Sequence, residues 1–242
     1  MKAKTLMVVG IGLLLAGCSS TTSTTSPSTT GTTGTTASTI GGATGPSVFS
    51  VRPVLCAAPD YAGASGQTTP AGALPACSTA SQLSAINLVV TPSSSNPNGY
   101  TSNTNIPPDA QFAPYPSTTG ANDTATSTVL LPAAPSTPVT GRFVLGPVGL
   151  TGASVQSASA QVGNDQWLVN ITLTSAGAVA WNDLARAQFH AFVAIDVNAE
   201  VVSNQIIQPT ALYFTTASGQ LAVGGLTESE AKTVAGEINA AR

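Results

Sequence analysis

The sequence predicts an α+β fold for residues 141–242, a two-layer sandwich in which an antiparallel sheet is covered by two helices. Apolar and polar side chains alternate through residues 167–174, which is the pattern of a strand with one buried face. Apolar residues recur at helical spacing in the segments that follow Thr174 and Thr227. Strand-like runs lie between these two helical segments, and together they complete the predicted sheet.

Capping residues indicate where the two helices begin. Either Thr174 or Ser175 can cap the first helix. Before the last helix, the Thr227 hydroxyl and the Glu230 carboxylate can each accept a hydrogen bond from the other's backbone N–H, which is a capping box. The faces expected to pack on the sheet are Ala178, Trp181, Leu184, Ala185 and Phe189 in the first helix, and Ala231, Val234, Ala235 and Ile238 in the last.

The strands between the helices are closely linked. Residues 191–197 and 200–207 are both strand-like, and only Asn198 and Ala199 separate them. Two residues are enough for a hairpin turn. Residues 221–224 supply one further strand before the last helix.

Residues 48–140 are predicted to be an irregular segment that precedes this domain. Residues 48–54 form a short strand, in which Pro53 marks the edge of a sheet or the end of the strand. Residues 86–91 are a second candidate strand. Residues 93–120 are rich in Pro, Asn and Ser, and we expect them to be irregular.

Cys56 and Cys77 lie in this segment and are expected to form a disulfide. An exported chain meets an oxidising compartment, and neither cysteine has metal-ligand residues close to it in the sequence. A redox-active pair is the alternative, but such pairs usually have the short Cys-x-x-Cys spacing. Closing a loop of about 20 residues stabilises a fold by roughly 3 kcal/mol on the chain-entropy account.

The N-terminus has the layout of a signal peptide. Lys2 and Lys4 precede an apolar run of 11 residues that ends at Ala16. As a helix this run would rise only about 16 Å, which is too short for a hydrocarbon core of roughly 30 Å. The sequence Leu-Ala-Gly-Cys that ends at Cys18 resembles the bacterial lipobox, which implies removal of residues 1–17 and acylation of Cys18. Ordinary secretory cleavage that leaves a free thiol at Cys18 is the alternative.

Residues 18–47 are predicted to be a disordered tether behind the lipidated cysteine. Between residues 19 and 45 the chain consists almost only of Ser, Thr, Gly, Ala and Pro, without a charged or aromatic side chain. Such a segment has almost nothing to bury, so it should remain unfolded. Two or three acyl chains on Cys18 would hold the chain stably at the bilayer, whereas one chain binds reversibly. We therefore expect a lipid-anchored protein on the extracytoplasmic face of the cell membrane.

Charge excludes two classes of partner. Only 7% of the residues are charged, and removal of Lys2 and Lys4 would leave five basic against ten acidic side chains. Nucleic acids and anionic lipid surfaces both reward clustered Lys and Arg, which this chain does not have. We expect no nucleic-acid partner, and membrane attachment only through the acylated Cys18.

The C-terminal sequence resembles the head subdomain of the first large extracytoplasmic domain of SecD. The residues that carry the resemblance include Phe-Val-Leu-Gly-Pro at 143–147, the strand at 167–174 followed by Ser-Ala-Gly, Val-Ala-Ile-Asp ending at Asp196, and Leu-Ala-Val-Gly-Gly-Leu-Thr ending at Thr227. Their order and spacing agree over about 100 residues, near two fifths of the chain. The resemblance implies an α+β head fold.

The resemblance also implies a function. SecD works with SecF beside the Sec translocon, where the head holds emerging preproteins while a proton gradient drives its movement, so exported polypeptides and translocon subunits are the implied partners. The sequence ends at Arg242, where SecD would enter a membrane bundle, and we therefore expect no proton-coupled transport by this chain itself. Val197 and Asn204 replace a Gly and a Pro that are usual around the central hairpin, which bears on its geometry and contact surface.

No pattern in the sequence indicates catalysis or cofactor binding. His190 is the only histidine, which excludes two-histidine metal sites, and we expect it to be structural or on the surface. The nucleophile-elbow, phosphate-loop and dinucleotide glycine patterns are absent from the sequence. A carboxylate pair could be drawn from Asp183, Asp196 and Glu200, but Asp183 is predicted to lie in the middle of a helix, where it is better interpreted as a solvated side chain. We expect a protein that is not an enzyme, with no catalytic residue, cofactor or metal.

Two functional hypotheses follow. The first is a lipid-anchored binding or accessory module that contacts exported polypeptides in or near protein translocation. The second is a structural lipoprotein that docks onto one specific envelope protein, unrelated to export. Exposed apolar residues on one sheet face would favour the first hypothesis, and a uniformly polar surface would favour the second.

Overall fold

The computed structural model describes residues 48–63, 73–84, 87, 90–92, 100–102, 106–135, 140–163, 165–207 and 219–242. Cys18 lies outside these residues, together with the predicted signal peptide and all of the predicted tether. Much of the candidate strand at 86–91 is also outside them. The described residues all fall within one compact unit, Ala43–Arg242.

The described residues form eleven strands and two α-helices. The strands are β1 (Phe49–Ala58), β2 (Val90–Pro92), β3 (Tyr100–Ser102), β4 (Val129–Pro132), β5 (Arg142–Leu145), β6 (Leu150–Thr151), β7 (Val155–Gly163), β8 (Gln166–Leu173), β9 (Phe192–Val197), β10 (Glu200–Ile206) and β11 (Gln220–Leu226). The helices are α1 (Ser175–Ala187) and α2 (Glu228–Ala240). Every ladder between these strands is antiparallel, and the fold is an α+β sandwich as the sequence predicted.

β1 is a central strand rather than an edge. The larger sheet runs in the order β10-β9-β1-β5-β4, with β6 also paired to β1. Pro53 is the last β1 residue paired with β9, and Val54 is the first paired with β5, so the proline without an N–H stands where the strand changes neighbours. The sequence placed Pro53 at the edge of a sheet or at the end of its strand, and both expectations were wrong, because β1 has neighbours on both sides and continues to Ala58.

The remaining strands of the predicted sandwich belong to a second sheet, in the order β11-β8-β7. We predicted one sheet, but β9 and β10 hydrogen-bond to the middle segment instead of to β8 and β11. The middle segment therefore supplies the central strand of the larger sheet, and packing does not divide the described chain at residue 140. On β8 the predicted buried face is confirmed, since Val169, Ile171 and Leu173 are buried and Trp167 is half-buried.

Both helices begin where the sequence predicted. The Thr174 hydroxyl accepts from the backbone N–H of Gly177, and Thr227 forms the capping box with Glu230. All four residues of the predicted α2 face are buried. In α1 the predicted face packs on the core, except that Phe189 lies beyond the end of the helix and is 39% exposed.

The predicted hairpin is present. Val197 pairs with Glu200, so Asn198 and Ala199 form a two-residue turn, and both have positive φ values of 53° and 62°. Positive φ at both central residues is typical of the type I′ turn that matches strand twist. The replacement of the usual Gly by Val197 therefore leaves a closed hairpin.

Cys56 and Cys77 form the predicted disulfide, with their Cα atoms 6.1 Å apart. Cys56 lies on β1, so the bond ties the following loop to the larger sheet. Phe112, from the region expected to be irregular, is fully buried beside Cys56 in a short 3-10 turn. Irregular backbone thus contributes to the core.

The largest group of buried apolar side chains fills the space between the two sheets and the helices. It combines residues of β1, β9 and β10 with the buried faces of β7, β8, β11, α1 and α2. Ile171 and Ile238 are completely buried within it. The smaller sheet and the helices are therefore held against one face of the larger sheet.

Candidate functional site

Four polar side chains are completely buried together in the larger sheet. Ser50 and Arg52 lie on β1, Asp196 lies opposite Ser50 on β9, and Asp123 follows a short 3-10 turn. Each of the four is 0% exposed. We call Ser50, Arg52, Asp123 and Asp196 the buried polar cluster.

The Arg52 guanidinium is the centre of this cluster. It donates through Nη2 to Asp123 Oδ1 and through Nε to Ser50 Oγ at 2.9 Å, and its Nε lies 3.6 Å from Asp196 Oδ2. Its remaining hydrogen bonds go to the backbone carbonyls of Ser127, Gly146 and Thr124, at 3.1 to 3.2 Å. Arginine therefore joins β1 to the Asp123 loop and to the end of β5 through contacts that lysine could not reproduce.

The cluster holds two carboxylates against one cation. Ser50 Oγ donates to Asp196 Oδ2 at 2.5 Å, but Asp196 Oδ1 and Asp123 Oδ2 are buried without a hydrogen-bond partner. Burial raises the pKa of Asp196 to about 7, although the Ser50 hydrogen bond and the Arg52 charge oppose this change. Burial also raises the pKa of Asp123, against the Arg52 charge. One proton shared by the two carboxyl groups would make the cluster neutral.

Nothing about the cluster suits it to catalysis. Ser50 is fully buried and its hydroxyl already donates to Asp196, so no substrate can reach it. The carboxylates considered from the sequence are not brought together, because Asp183 and Glu200 are exposed while Asp196 is buried. Asp183 is exposed, as expected for a solvated side chain, whereas the burial of Asp196 was not predicted. An informative signal was available, since Ser50 and Arg52 interrupt an otherwise apolar strand at alternate positions.

His190 makes contacts that a structural residue would make. It has a positive φ of 61°, its backbone N–H donates to Ile207 at 2.9 Å, and its ring stacks on Phe189 at 3.7 Å between centroids. Within the described residues, no group of three or more His, Cys, Asp or Glu side chains is arranged to hold a metal ion.

A groove of about 390 Å³ separates the β9–β10 hairpin from α2. Glu200, Glu230 and Glu237 line it together with the smaller residues Asn198, Ser229 and Thr233. The groove is acidic and open to solvent. Of the three carboxylates considered from the sequence, only Glu200 lines this groove.

The outer face of the smaller sheet is mainly polar, and Leu168 is a half-exposed apolar side chain on it. Opposite the buried face of β8, the exposed or half-exposed residues include Ser157, Ser159 and Gln161 on β7 and Asn170 and Thr172 on β8. The exposed large apolar side chains of the described chain are scattered rather than gathered on this face: Val48, Leu55, Tyr61, Val162, Val179 and Phe189. By the criterion set from the sequence, the lack of clustered apolar side chains among the described residues of this face favours the second hypothesis, docking onto one specific envelope protein.

In the part of the chain that the structure describes, no helix is both long enough and apolar enough to cross a membrane.

The C-terminal part of the chain is similar to known proteins. Residues 132–241 match the family model of the SecDF P1 head subdomain. Two solved structures are similar, one described as "Structure and function of a membrane component SecDF that enhances protein export" and the other as "Crystal structure of SecDF in Super-membrane-facing form". Each is 26% identical over 40% of this chain with a TM-score of 0.36, and the match covers 42% and 13% of their respective chains. The match therefore spans less than half of either chain, and no curated protein matches.

Proposed function

From this C-terminal domain of the SecDF P1 head type, a domain related to protein export, we propose that the chain is a lipid-anchored module on the extracytoplasmic face of the cell membrane that contacts exported polypeptides. The match over residues 132–241 is the observation that carries the proposal. It agrees with the resemblance noted in the sequence, whose segments fall in β5, β8, β9 and β11. The module would act without catalysis and without proton-coupled transport of its own.

Attachment through Cys18 supports the same location. Acylation there would place the module beside the membrane, where polypeptides leave the translocon. Labelling of growing cells with an alkyne-tagged fatty acid tests this step, because the label should appear on the wild-type chain and disappear in the Cys18→Ser variant.

Contact with exported chains is tested by photo-crosslinking in living cells. Probes at Ser159, Asn170 and Gln205 sample the outer face of the smaller sheet and the neighbouring strand β10, and a probe at Asp183 on α1 is the matched control. Capture of many different exported chains together with translocon subunits supports the proposal. Capture of nothing beyond the control position refutes it.

One observation favours a second function. Among the described residues the outer face of the smaller sheet is mainly polar, with Leu168 as a half-exposed apolar side chain, which suits a dedicated envelope partner better than a collection of unfolded chains. Capture of one defined envelope protein in the same crosslinking experiment would make the chain a structural or interaction lipoprotein.

A further inference from the structure

β7 is an outer strand of the smaller sheet. Among the described residues it forms a ladder with β8 alone, through pairs that run from Val155 to Gly163. An outer strand presents every second N–H and C=O away from its neighbour, and these groups can pair with another extended chain.

The first half of this outer edge is covered by the end of α2. The Asn239 side chain accepts from the Ala158 N–H at 3.0 Å and donates to the Ala158 carbonyl at 2.8 Å, so its amide takes the place of a neighbouring peptide group. Arg242 Nη1 donates to the Gln156 carbonyl at 2.5 Å. These contacts show that the even-numbered residues of β7 direct their backbone groups away from β8.

The second half of the edge is uncovered. By the same alternation, Ala160 and Val162 direct their N–H and C=O groups outward, and no described residue forms a hydrogen bond to them on that side. Two donors and two acceptors thus face outward, with about 7 Å between equivalent groups. We call the outward backbone groups of Ala160 and Val162 the open edge.

The open edge lacks the features that usually prevent pairing with other chains. β7 contains no charged residue and no proline, and its single irregularity lies at the far end, between Val155 and Ser157. The side chain of Val162 is 61% exposed. An unprotected edge of this kind is a template for an added strand.

The surface of α2 near the open edge carries a glycine. On α2, Gly236 lies one turn from Lys232, which reaches over the Trp167 ring opposite Val162, and one turn from Asn239, which reaches Ala158. Gly236 is therefore beside the open edge. A Cβ added there would meet no atom within 4 Å, so α2 is open on the side where Gly236 lies.

We propose that the open edge binds an extended segment of exported polypeptide as an additional β-strand. This inference rests on the proposed function and adds the mode of recognition. Main-chain hydrogen bonds do not depend on sequence, and the flanking side chains Ser159, Ala160 and Gln161 are small or uncharged, so the edge suits chains of many sequences. It also explains how a domain with a polar outer face can hold unfolded chains.

A second copy of the chain is a less suitable occupant. Stable protein interfaces bury about 1,200–2,000 Å² in total. The open edge comprises two outward residues, because Asn239 and Arg242 occupy the rest of β7. Pairing of two such edges would bury far less than a stable dimer needs, whereas transient holding of a polypeptide requires only weak binding.

The test uses the purified full-length chain in detergent micelles and a fluorescent eight-residue peptide of alternating Thr and Val. Binding is measured by fluorescence anisotropy, and hydrogen–deuterium exchange locates the protected amides. The matched control peptide has the same side chains but a methyl group on every backbone nitrogen, so it cannot donate main-chain hydrogen bonds. We expect the unmethylated peptide to bind and to protect the amides of Ala160 and Val162, and the methylated peptide to do neither.

Two pairs of variants test whether the peptide binds at the open edge or elsewhere on the protein. Val162→Pro removes an outward N–H, whereas Val162→Thr keeps this N–H and has a side chain of similar shape. We expect Val162→Pro to weaken peptide binding about tenfold, which corresponds to roughly 1.4 kcal/mol. We expect Val162→Thr to change the affinity less than about twofold. Gly236→Trp fills the space beside the edge, while Gly236→Ala leaves it open. The tryptophan variant keeps the test valid if the proline variant does not fold.

The outcomes distinguish this inference from the proposed function. Peptide binding without protection of the open edge, or with equal affinity in all four variants, overturns the inference and leaves the proposed function standing. Self-association that Val162→Pro abolishes assigns the edge to a second copy and also overturns it. If exported chains are not captured in cells either, both the inference and the proposed function fail.

Discussion

Asp196→Asn is expected to stabilise the protein at pH 8 and to have little effect at pH 5. Asp196 and Asp123 share one cation, Arg52, in a site that is 0% exposed. With both carboxyl groups ionised, the buried polar cluster carries a net negative charge that nothing in contact with it neutralises. Asparagine removes that charge and keeps an oxygen that can accept from Ser50 Oγ.

The magnitude follows from the pKa of Asp196. Burial raises it from the ordinary 3.8 to about 7 in the folded protein, and each pKa unit corresponds to about 1.4 kcal/mol, which gives an upper limit of about 4 kcal/mol. The asparagine side chain of the variant would place an amide N–H₂ where Asp196 Oδ1 now has no partner, and a buried unpaired donor costs about 1–3 kcal/mol. We therefore expect a net gain of about 1–3 kcal/mol at pH 8.

The pH dependence has a definite sign. Between about pH 4 and pH 7 the folded protein binds a proton on Asp196 that the unfolded chain has released. The free energy of unfolding of the wild type should therefore decrease as the pH rises through this range, and it should level off above about pH 7. The Asp196→Asn variant should lose this part of the pH dependence.

Urea unfolding at a series of pH values, followed by the fluorescence of Trp167 and Trp181, measures this difference. Asp183→Asn is the matched control, because Asp183 is exposed on α1 and its replacement should leave the pH dependence as in the wild type. A loss of several kcal/mol for Asp196→Asn at pH 8 would refute the reasoning. That result would mean that Asp196 is ionised and that its attraction to Arg52 exceeds the cost of burial.

Three further changes have expected effects on stability, each measured by urea unfolding. Replacing both Cys56 and Cys77 with Ser should cost about 3 kcal/mol, because their bond closes a loop over a sequence separation of 21; an equal effect of reductant on this variant and the wild type would contradict this. Ala199→Gly should stabilise by about 1 kcal/mol, because a residue with a Cβ is disfavoured at a φ of 62°, and a loss of stability would contradict the turn geometry. Arg142→Lys should destabilise by about 2 kcal/mol, because the guanidinium donates to three backbone carbonyls, those of Pro59, Tyr115 and Phe112, that an ammonium cannot reach together; a neutral result would mean that water replaces these bonds.

The elements that local pattern determines were predictable from the sequence. The alternation around Val169 and Ile171 identified β8 and its buried face, and the Thr227 capping box located the start of α2. The hairpin at Asn198 followed from the short link between two strand-like runs. Each of these depends on residues that are neighbours in the sequence, so no knowledge of distant contacts was needed.

The features that the sequence did not reveal depend on distant contacts. Arg52 and Asp196 are separated by more than half of the chain, and nothing local indicates that they meet. Pro53 suggested an edge because proline cannot donate to a ladder, but β1 changes neighbours at that residue and needs no N–H there. Phe189 satisfied the helical spacing of α1, yet the helix ends at Ala187 and the ring stacks on His190 instead.

The buried polar cluster explains why the region that matches the SecDF P1 head is not complete by itself in this chain. The match begins at residue 132, whereas Arg52, Ser50 and Asp123 all lie before it. Without β1, Asp196 would lose its cation and its hydrogen-bond donor, and β9 and β5 would lose the strand that lies between them. A buried carboxylate without a partner and two exposed strand edges are each unfavourable in a folded protein. The matching region therefore depends on the preceding segment for the central strand of its larger sheet, and Arg52 links the two through its contacts with Asp196 and the Gly146 carbonyl.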